Sequence, residues 1–545
     1  MAAPAPSIAP VADRRAALDR AHLGDITGAI GTVSAVDTAP RRTLRRRLIT
    51  LLAVAGPGLI VMAADNDAGT MTVFAQAGHG YGTRLLWVLV LLAPALFVVQ
   101  EMAARLGAVT GAGHARLILE RFGRVWCAFS LGDLIVVNFA LLVTEFIGVI
   151  VSLGYFGVSR YLAVPAAAAC LIAVTAGGSF RRWERAMYVM VVADLSVIAL
   201  AVLHHPSPEA IGAGLVPRVG GNPGSSALLL LIALIGTTIS PWQIFFQQSN
   251  VVDKRITPRW LRYARIDTAL GTIAFVAAAG AIMIACAGVL GSGGAGAGHL
   301  IDAGAIARLL ALRAGRFAGG LFAIALLNAS LLGAGAVSLS SSYSASEVLG
   351  VKHSLHRRFG DARVFHGCFA AFVGAAAATV LVPGAPLGAI TTLVQALAGI
   401  LLPVALILLL MLCNDRELVG PLTNPGWLNA IAAAVVTLIL ALATMLTITA
   451  VAPGISVLDA ALITTPALAV FGAALAATLR DAGPPSPTSK LMTDWQRRTW
   501  SSRMLELVPA APATRNRVLV LVLLRAYVLL MIALLAIRLG RLIAG

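Results

Sequence analysis

Long apolar runs separated by short polar segments dominate the chain from about residue 48 onward. Runs of about 20 apolar residues predict transmembrane helices, because that length spans the hydrocarbon core of a bilayer. The alternating pattern of an outer-membrane barrel is absent, so the predicted class is an all-α integral membrane protein. Thirteen spans are predicted, near 48–79, 84–105, 125–155, 161–177, 185–204, 226–252, 262–290, 306–345, 364–382, 387–413, 427–451, 459–479 and 516–541.

Two of the predicted spans are interrupted near their centres. Span 1 reads Gly-Pro-Gly at 56–58 and Asp-Asn-Asp at 65–67, and span 6 is broken over 236–243 around a Ser-Pro step. Backbone groups in hydrocarbon need partners, so unwound stretches occur where they line a cavity or bind an ion. One Gly/Pro interruption indicates only a kink, whereas two polar ones in equivalent positions favour a site. Spans 1 and 6 lie five apart, which predicts two inverted five-helix repeats (spans 1–5 and 6–10) with two or three additional C-terminal spans.

The sign of the buried charge indicates a cationic ligand. An anion would need helix N-termini or a basic partner. Spans 1 to 10 contain no Lys or Arg at mid-membrane depth, and acids there without counter-charges favour a cation. Asp194 alone is equally well explained as a hydrogen-bonded acid between helices. The mid-span acids are Asp65, Asp67, Asp133, Glu145 and Asp194, with Asp267 near a span end.

Composition and charge agree with a multi-pass protein of the cell inner membrane. The 545 residues are 59% hydrophobic and 12% charged, and a soluble domain lacks the polar surface to cover so much apolar area. The net charge of +17 does not indicate nucleic-acid binding, because the basic residues lie between apolar runs. They cluster before span 1 and on alternate loops, which predicts a cytoplasmic N-terminus.

The polar segments suggest the domain boundaries. Residues 1–47 are rich in Ala, Pro and Arg and lack a signal-peptide cleavage site, so a disordered basic cytoplasmic tail is predicted. A transporter core is predicted over 48–420, followed by two additional spans within 421–479. A polar cytoplasmic linker is expected over 480–515, with a last span in 516–545.

Six segments, in the right order, resemble motifs of the NRAMP family of divalent-metal transporters. The resemblance covers about residues 48–420 and implies a LeuT-like fold that imports a divalent cation by alternating access. The segments are 56–58 (Gly-Pro-Gly), 67–87 (with Asp-Ala-Gly-Thr, Gln-Ala-Gly and Tyr-Gly), 105–111 (Arg-Leu-Gly-Ala-Val-Thr-Gly), 265–268 (Arg-Ile-Asp-Thr), 321–327 (Leu-Phe-Ala-Ile-Ala-Leu-Leu) and 415–420 (Asp-Arg-Glu-Leu-Val-Gly).

The resemblance also implies metal-binding positions. The family's span-1 motif Asp-Pro-Gly-Asn binds metal through its Asp and Asn; here Asp67 is kept and the Asn is replaced by Thr70. In span 6 the family has Ala-x-x-Met-Pro-His, with the Ala carbonyl and the Met sulfur on the ion. This chain has Thr237 and Ser240 at those two positions, while a span-10 Gln is kept as Gln395.

These departures change the expected ion. A thioether favours softer transition metals, whereas carboxylate, hydroxyl and water suit Mg²⁺ or Mn²⁺. Asp67 and Asp65 with three hydroxyl side chains therefore favour Mg²⁺ over Mn²⁺. The lost methionine also resembles the NRAMP-related magnesium-transporter branch. A proton-coupled Mn²⁺/Fe²⁺ transporter of the ordinary NRAMP type is the alternative.

Proton coupling is affected by the same departures. Leu142 stands where the family has an Asp associated with proton movement, and Trp242 replaces the span-6 His, so uncoupled transport is a hypothesis. Glu145, Asp133 and Gln243 are proton-binding or supporting candidates, and Asp65 is a further substitute. Beyond Gln243, the glutamines at 247 and 248 either line an inner path or bond between helices.

Three other functions are compatible with a multi-pass protein, and the same residues favour them less. A cation-coupled organic-solute symporter of the same fold lacks a deep base for a substrate carboxylate. An enzyme using Asp65 and Asp67 is disfavoured, because no phosphate loop, Ser/His/Asp arrangement or His/Cys cluster is visible. A channel is not excluded by the pattern. The expected partners are the lipid bilayer and the transported divalent ion, without nucleic acid, obligate protein partner or cofactor.

Overall fold

The computed structural model is predominantly helical. It describes residues 20–37, 39–203, 207–217, 225–290, 303–382, 387–451, 455, 457–480, 492–502, 508, 511 and 514–544. The helices are α1 (Leu44–Val54), α2 (Pro57–Ala64), α3 (Ala68–Tyr81), α4 (Leu86–Thr110), α5 (His114–Tyr155), α6 (Arg160–Ala176), α7 (Phe180–Asp194), α8 (Ser196–Leu203), α9 (Pro208–Gly214), α10 (Ser225–Thr238), α11 (Pro241–Asp253), α12 (Leu261–Leu290), α13 (Ala303–Ala314), α14 (Arg316–Leu349), α15 (Arg363–Leu381), α16 (Leu387–Cys413), α17 (Arg416–Val419), α18 (Gly426–Val451), α19 (Val457–Arg480), α20 (Asp494–Arg498) and α21 (Arg515–Ala544).

The helices agree with a multi-pass membrane protein. Among the described residues, eight helices are long and apolar enough to cross a membrane, and two bent helix pairs raise that number to ten. The total of thirteen spans stays a prediction, because several of them adjoin segments outside the described residues.

The two predicted breaks are confirmed. The first span runs through α1, α2 and α3, with a bend of 52° between α1 and α2 and a second interruption over 65–67. The sixth span is divided between α10 and α11 at residues 239–240. Pro57 and Pro241 each begin the helix that follows an interruption, where their missing N–H groups have no helical partner to lose.

One span predicted as continuous is divided. Residues 306–345 form α13 and α14, separated by Gly315 at φ 92°, a left-handed conformation that glycine adopts without steric cost. Arg313 and Arg316 flank this break, and the predicted span ran through this polar step because the residues beyond it are largely apolar. In the span at 185–204, α7 and α8 meet at Leu195, whose backbone stays helical, so Phe180–Leu203 is one span with a single irregular turn.

Residues 20–37 are folded, which corrects the prediction of a disordered tail for this part of 1–47. A turn of 3-10 helix (Arg20–His22) precedes strands β1 (Ile26–Thr27) and β2 (Thr32–Val33), which pair antiparallel. Ile26 and Val33 are buried against the end of α1 and against α11 and α12. This burial of apolar side chains stabilises the segment. The average composition of residues 1–47 does not reveal it. We call residues 20–37 the N-terminal hairpin and this end of the bundle the hairpin end; residues 1–19 lie outside the described residues.

A buried ion pair joins the hairpin to the bundle. Lys254 Nζ lies 2.5 Å from Glu184 Oε1, and both side chains are fully buried. The other Glu184 oxygen accepts a 2.5 Å hydrogen bond from the backbone N–H of Ala29 in the hairpin. Lys254 also donates to the carbonyl of Ala55, beside the bend between α1 and α2. Four chain segments therefore meet at one pair of opposite charges.

Asp267 of α12 holds the same bend from the other side. Its carboxylate accepts hydrogen bonds from the backbone N–H groups of Gly56 (3.0 Å), Gly58 (2.7 Å) and Leu59 (3.3 Å). These groups stand at the start of α2, where helical N–H groups have no partner in their own helix. An acid at a helix N-terminus is also favoured by the helix dipole.

The described parts of the 480–515 segment contact the helical core. Ser502 donates its backbone N–H to the carbonyl of Val109 (2.9 Å), and Ala511 donates to that of Arg121 (3.2 Å). The Trp500 ring lies over Gly420. The linker thus contacts the ends of α4, α5 and α17.

We expect Lys254→Met to destabilise the protein strongly, because it leaves Glu184 as an unpaired buried charge. Breaking such a pair costs about 3–5 kcal/mol. Thermal unfolding of the purified protein in detergent measures the loss, and Lys254→Met/Glu184→Leu is expected to recover part of it.

The matched control is Glu120→Gln, which breaks the partly exposed Arg116–Glu120 pair (2.6 Å) on α5. Its expected effect is below about 1 kcal/mol. Equal unfolding midpoints for Lys254→Met and wild type would contradict a stabilising role for the buried pair.

Candidate cation site at the two helix breaks

Asp67 occupies the span-1 break beside a second acid. It precedes α3, and its Oδ1 accepts a 2.7 Å hydrogen bond from the backbone N–H of Thr70. Glu145 of α5 lies next to it, with Oε2 3.3 Å from the backbone nitrogen of Ala68. Asp67 is 2% exposed and Glu145 is fully buried. The side chain of Asp67 thus caps a helix and faces a carboxylate from another span.

The side chain of Asp65 links the span-1 break to the helix that follows the span-6 break. Its side chain is fully buried, and Gln243 of α11 lies against it. No hydrogen bond of good geometry reaches either Asp65 oxygen from the described residues. The side-chain oxygen of Gln243, Oε1, instead accepts hydrogen bonds from Gln100 Nε2 (2.9 Å) and from the backbone N–H of Ser240 (3.4 Å). Gln243 is therefore a supporting residue that connects α4, the span-6 break and Asp65.

Three hydroxyl side chains surround these breaks. Thr70 lies in the first turn of α3, Thr237 in the last turn of α10, and Ser240 immediately before α11. All three are buried, with exposures of 1%, 3% and 4%. The Thr237 hydroxyl donates to the carbonyl of Leu234 (3.3 Å), so its oxygen lone pairs remain available to a cation.

The two departures from the family's proton-linked residues are apolar and packed. Leu142 and Trp242 are both fully buried. The Trp242 carbonyl accepts a 3.0 Å hydrogen bond from the Ser340 hydroxyl of α14. The indole therefore fills space at the start of α11 and brings no group that titrates near neutral pH.

Some predicted residues stand apart from the breaks. Asp133 lies on α5 near Tyr527 of α21, not at the site. The side chain of Gln395 lies outside the described residues. Gln248 bonds between helices, donating to the carbonyl of Ala112 (2.7 Å) and contacting His114 Nδ1 (2.9 Å).

The site offers oxygen ligands but no complete side-chain cage. Among the described residues, no three His, Cys, Asp or Glu side chains converge closely enough to hold a metal ion. A cation bound at Asp65 and Asp67 would complete its shell with hydroxyls, carbonyls and water. Such a partly hydrated arrangement suits transport, since the ion has to enter and leave.

Two contacts of the site were not predicted from the sequence. Asn66 Nδ2 donates to Asp194 Oδ2 of α7 (3.3 Å). Gly333 of α14 lies against the acids, where a Cβ would be 3.0 Å from Glu145 Cδ and 3.2 Å from Asp67 Cβ. The mid-span position of Asp194 was a signal for the first contact, whereas no local pattern marked Gly333 among the glycines.

Comparison with known proteins gives a consistent result. A family profile described as natural resistance-associated macrophage protein-like (Nramp) matches residues 58–449. The divalent metal cation transporter MntH 1 of Pseudomonas aeruginosa is 28% identical over 69% of this chain and 87% of its own length. MntH of Ralstonia nicotianae is 28% identical over 70% of this chain and 87% of its own length.

A solved structure confirms the predicted fold. A manganese transporter of Eremococcus coleocola superimposes with a TM-score of 0.65 at 18% identity, covering 84% of this chain and 98% of that one. The chain therefore has the LeuT-like fold, with its two broken spans in the first and sixth positions.

We expect Gly333→Ala to weaken divalent-cation binding, because the added methyl group forces Asp67 and Glu145 apart. Overpacking of this kind costs about 1–3 kcal/mol, and every 1.4 kcal/mol lost from the bound state weakens binding about tenfold. Isothermal titration of the purified protein with Mn²⁺ measures the change.

Gly335→Ala is the matched control on the same helix. A Cβ there meets its nearest neighbour, Leu171 Cδ2, at 3.7 Å, an ordinary contact. Equal affinities for the two alanine variants would show that the close approach at Gly333 does not shape the site.

Proposed function

This chain belongs to the NRAMP family and is a divalent metal cation transporter, and from that premise we propose that it imports Mg²⁺ in preference to Mn²⁺. One observation carries the preference: at the span-6 position where the family has a methionine sulfur, this chain has the buried hydroxyl of Ser240. The remaining candidate ligands are the carboxylates of Asp65 and Asp67 and the hydroxyls of Thr70 and Thr237.

The donor set supports a hard cation. Oxygen ligands suit Mg²⁺ and Mn²⁺, whereas a thioether adds affinity for softer metals. Mg²⁺ keeps several waters and is usually held by one or two carboxylates. Glu145 faces Asp67, but no three acids in the described part of the chain are placed to hold one ion together, which fits such a partly hydrated ion. Gln395 remains part of this proposal as a further oxygen ligand from span 10.

The basic residues support an orientation in the membrane. We place the hairpin end in the cytoplasm and the protein in the plasma membrane. Arg181, Arg185 and Arg255 lie at this end and donate to hairpin carbonyls. Basic residues concentrate on the cytoplasmic side of membrane proteins.

Alternating access then requires the hairpin end to open. In this structure that end is closed by the hairpin, by the Lys254–Glu184 pair and by Asp267 on the start of α2. We assign import to a cycle in which these contacts separate and α2 moves, exposing Asp65 and Asp67 to the cytoplasm. The ordinary proton-coupled Mn²⁺/Fe²⁺ transporter is the alternative, and the manganese transporter of the same fold favours it.

The first expected result is that Asp67→Ala abolishes uptake of both Mg²⁺ and Mn²⁺ into proteoliposomes. The substitution removes a carboxylate from the break and the cap of α3, and we expect at least about a tenfold loss. Thr72→Ala is the control, since within the described part of the chain the Thr72 hydroxyl bonds to its own helix, at the carbonyl of Ala68 (2.7 Å).

Competition among ions tests the preference itself. Wild-type proteoliposomes should take up Mg²⁺ faster than Mn²⁺ at equal concentrations, and Cd²⁺ slowest. Better transport of Cd²⁺ than of Mg²⁺ would refute the hard-ion proposal while leaving the family assignment intact.

A second expected result concerns Ser240→Met. The added thioether should raise uptake of Mn²⁺ and Cd²⁺ relative to Mg²⁺, by about tenfold in the ratio. Ser240→Ala separates the two effects, because it removes the hydroxyl without adding sulfur and should lower Mg²⁺ uptake without raising uptake of Mn²⁺ or Cd²⁺. An unchanged ratio in Ser240→Met would place residue 240 away from the ion.

A further inference from the structure

Consecutive residues of the span-1 break contact different helices. Asp67 faces Glu145 of α5, whereas Asn66 turns to α7 and donates to Asp194 Oδ2 at 3.3 Å. Asp194 is the last residue of α7, just before the irregular turn at Leu195 in the fifth span. Asn66 and Asp194 are 1% and 3% exposed. The break of span 1 and the irregular turn of span 5 therefore meet at a buried amide and a buried acid.

The polar groups of this pair are only partly satisfied. Asp194 Oδ1 and Asn66 Oδ1 accept no hydrogen bond from the described residues. The elements packed against α7 are α2, α6, α8 and α14. The charged groups nearest to Asn66 along the chain are the acids Asp65 and Asp67, and no described base lies close enough to interact with Asp194. Asn328 of α14 is turned away, donating to the carbonyl of Met190 (2.8 Å).

An ionised carboxylate in this position lacks compensation. Buried charges in a membrane protein are paired, bound to an ion or protonated. A metal cation needs several oxygen ligands, and the Asn66–Asp194 pair offers two oxygens that lack a partner among the described residues, whereas a proton needs one acceptor. The Asn66 amide suits both protonation states, since its NH₂ donates to a carboxylate and its oxygen accepts from a carboxylic acid.

We propose that Asp194, held by Asn66, is a proton-binding site of the transporter, distinct from the site of the transported ion. The proton is carried on the Asp194 carboxyl group and released to water. A dication at Asp65 and Asp67 and a proton on Asp194 repel each other, so binding of one favours release of the other. The inference rests on the proposed function, and it supplies a proton carrier that does not need an acid at Leu142 or a histidine at Trp242.

The test counts protons released when the purified protein binds Mg²⁺ or Mn²⁺. Isothermal titration in two buffers of different ionisation enthalpy gives that number. Asp194→Asn keeps the shape and the amide contact but cannot ionise. We expect it to release about one proton fewer per bound ion than wild type, with its ion affinity at high pH within about threefold of wild type.

Asp133→Asn is the matched control, since Asp133 is a mid-span acid away from the breaks; it should release as many protons as wild type. Equal release by Asp194→Asn and wild type overturns the proposal. A divalent-ion affinity that depends on Na⁺ in wild type but not in Asp194→Asn also overturns the proposal, because Asp194 would then bind a metal cation and not a proton.

Folding and the parent proposal are tested separately. An Asp194→Asn protein with a wild-type unfolding midpoint and retained ion binding makes the proton count a direct readout. Should that variant unfold, Asn66→Asp/Asp194→Asn exchanges the two groups and is expected to restore the proton release. A wild type that binds no divalent ion would refute the proposed function, whereas ion binding without Asp194-dependent proton release overturns only this inference.

Discussion

An unwound, acidic segment in the middle of a membrane has to be enclosed by protein, and residues 65–67 impose that requirement on the surrounding helices. Each residue of the break has its own partner. Asp67 caps α3 beside Glu145, Asn66 contacts Asp194, and Asp65 faces Gln243. Spans 3, 5 and 6 are thereby arranged around three consecutive side chains. The small residues of span 8, such as Gly333, allow a further helix to close over the acids.

The sequence was sufficient for the features that are encoded locally. Proline, glycine and paired acids inside apolar runs located both breaks to within a few residues, and the mid-span acids indicated the sign of the ligand. The order of six short motifs led to the correct family and fold. These signals can be recognised in a sequence because placing a polar residue in hydrocarbon costs free energy. Such residues are therefore rare outside functional positions.

Contacts between residues distant in the sequence could not be predicted from local patterns. Residues 20–37 have the composition of a tail, and only the surface formed by Glu184, Lys254 and α12 explains why they fold. Arg313 and Arg316 lie beside Gly315, but nothing in the sequence shows that this glycine adopts a left-handed conformation. Asp133 and Asp194 were indistinguishable as mid-span acids, yet one faces the last helix and the other reaches the central break.

The Asp267 carboxylate joins residues on both sides of a proline. Its hydrogen bonds come from Gly56, Gly58 and Leu59, and skip Pro57, which has no N–H to donate. The three donors converge on one carboxylate at the very point where the first span changes direction. Three N–H groups are thereby tied to one side chain, and all three lose their acceptor if α2 and α12 move apart. The bend within the first span is therefore coupled to the position of the seventh span.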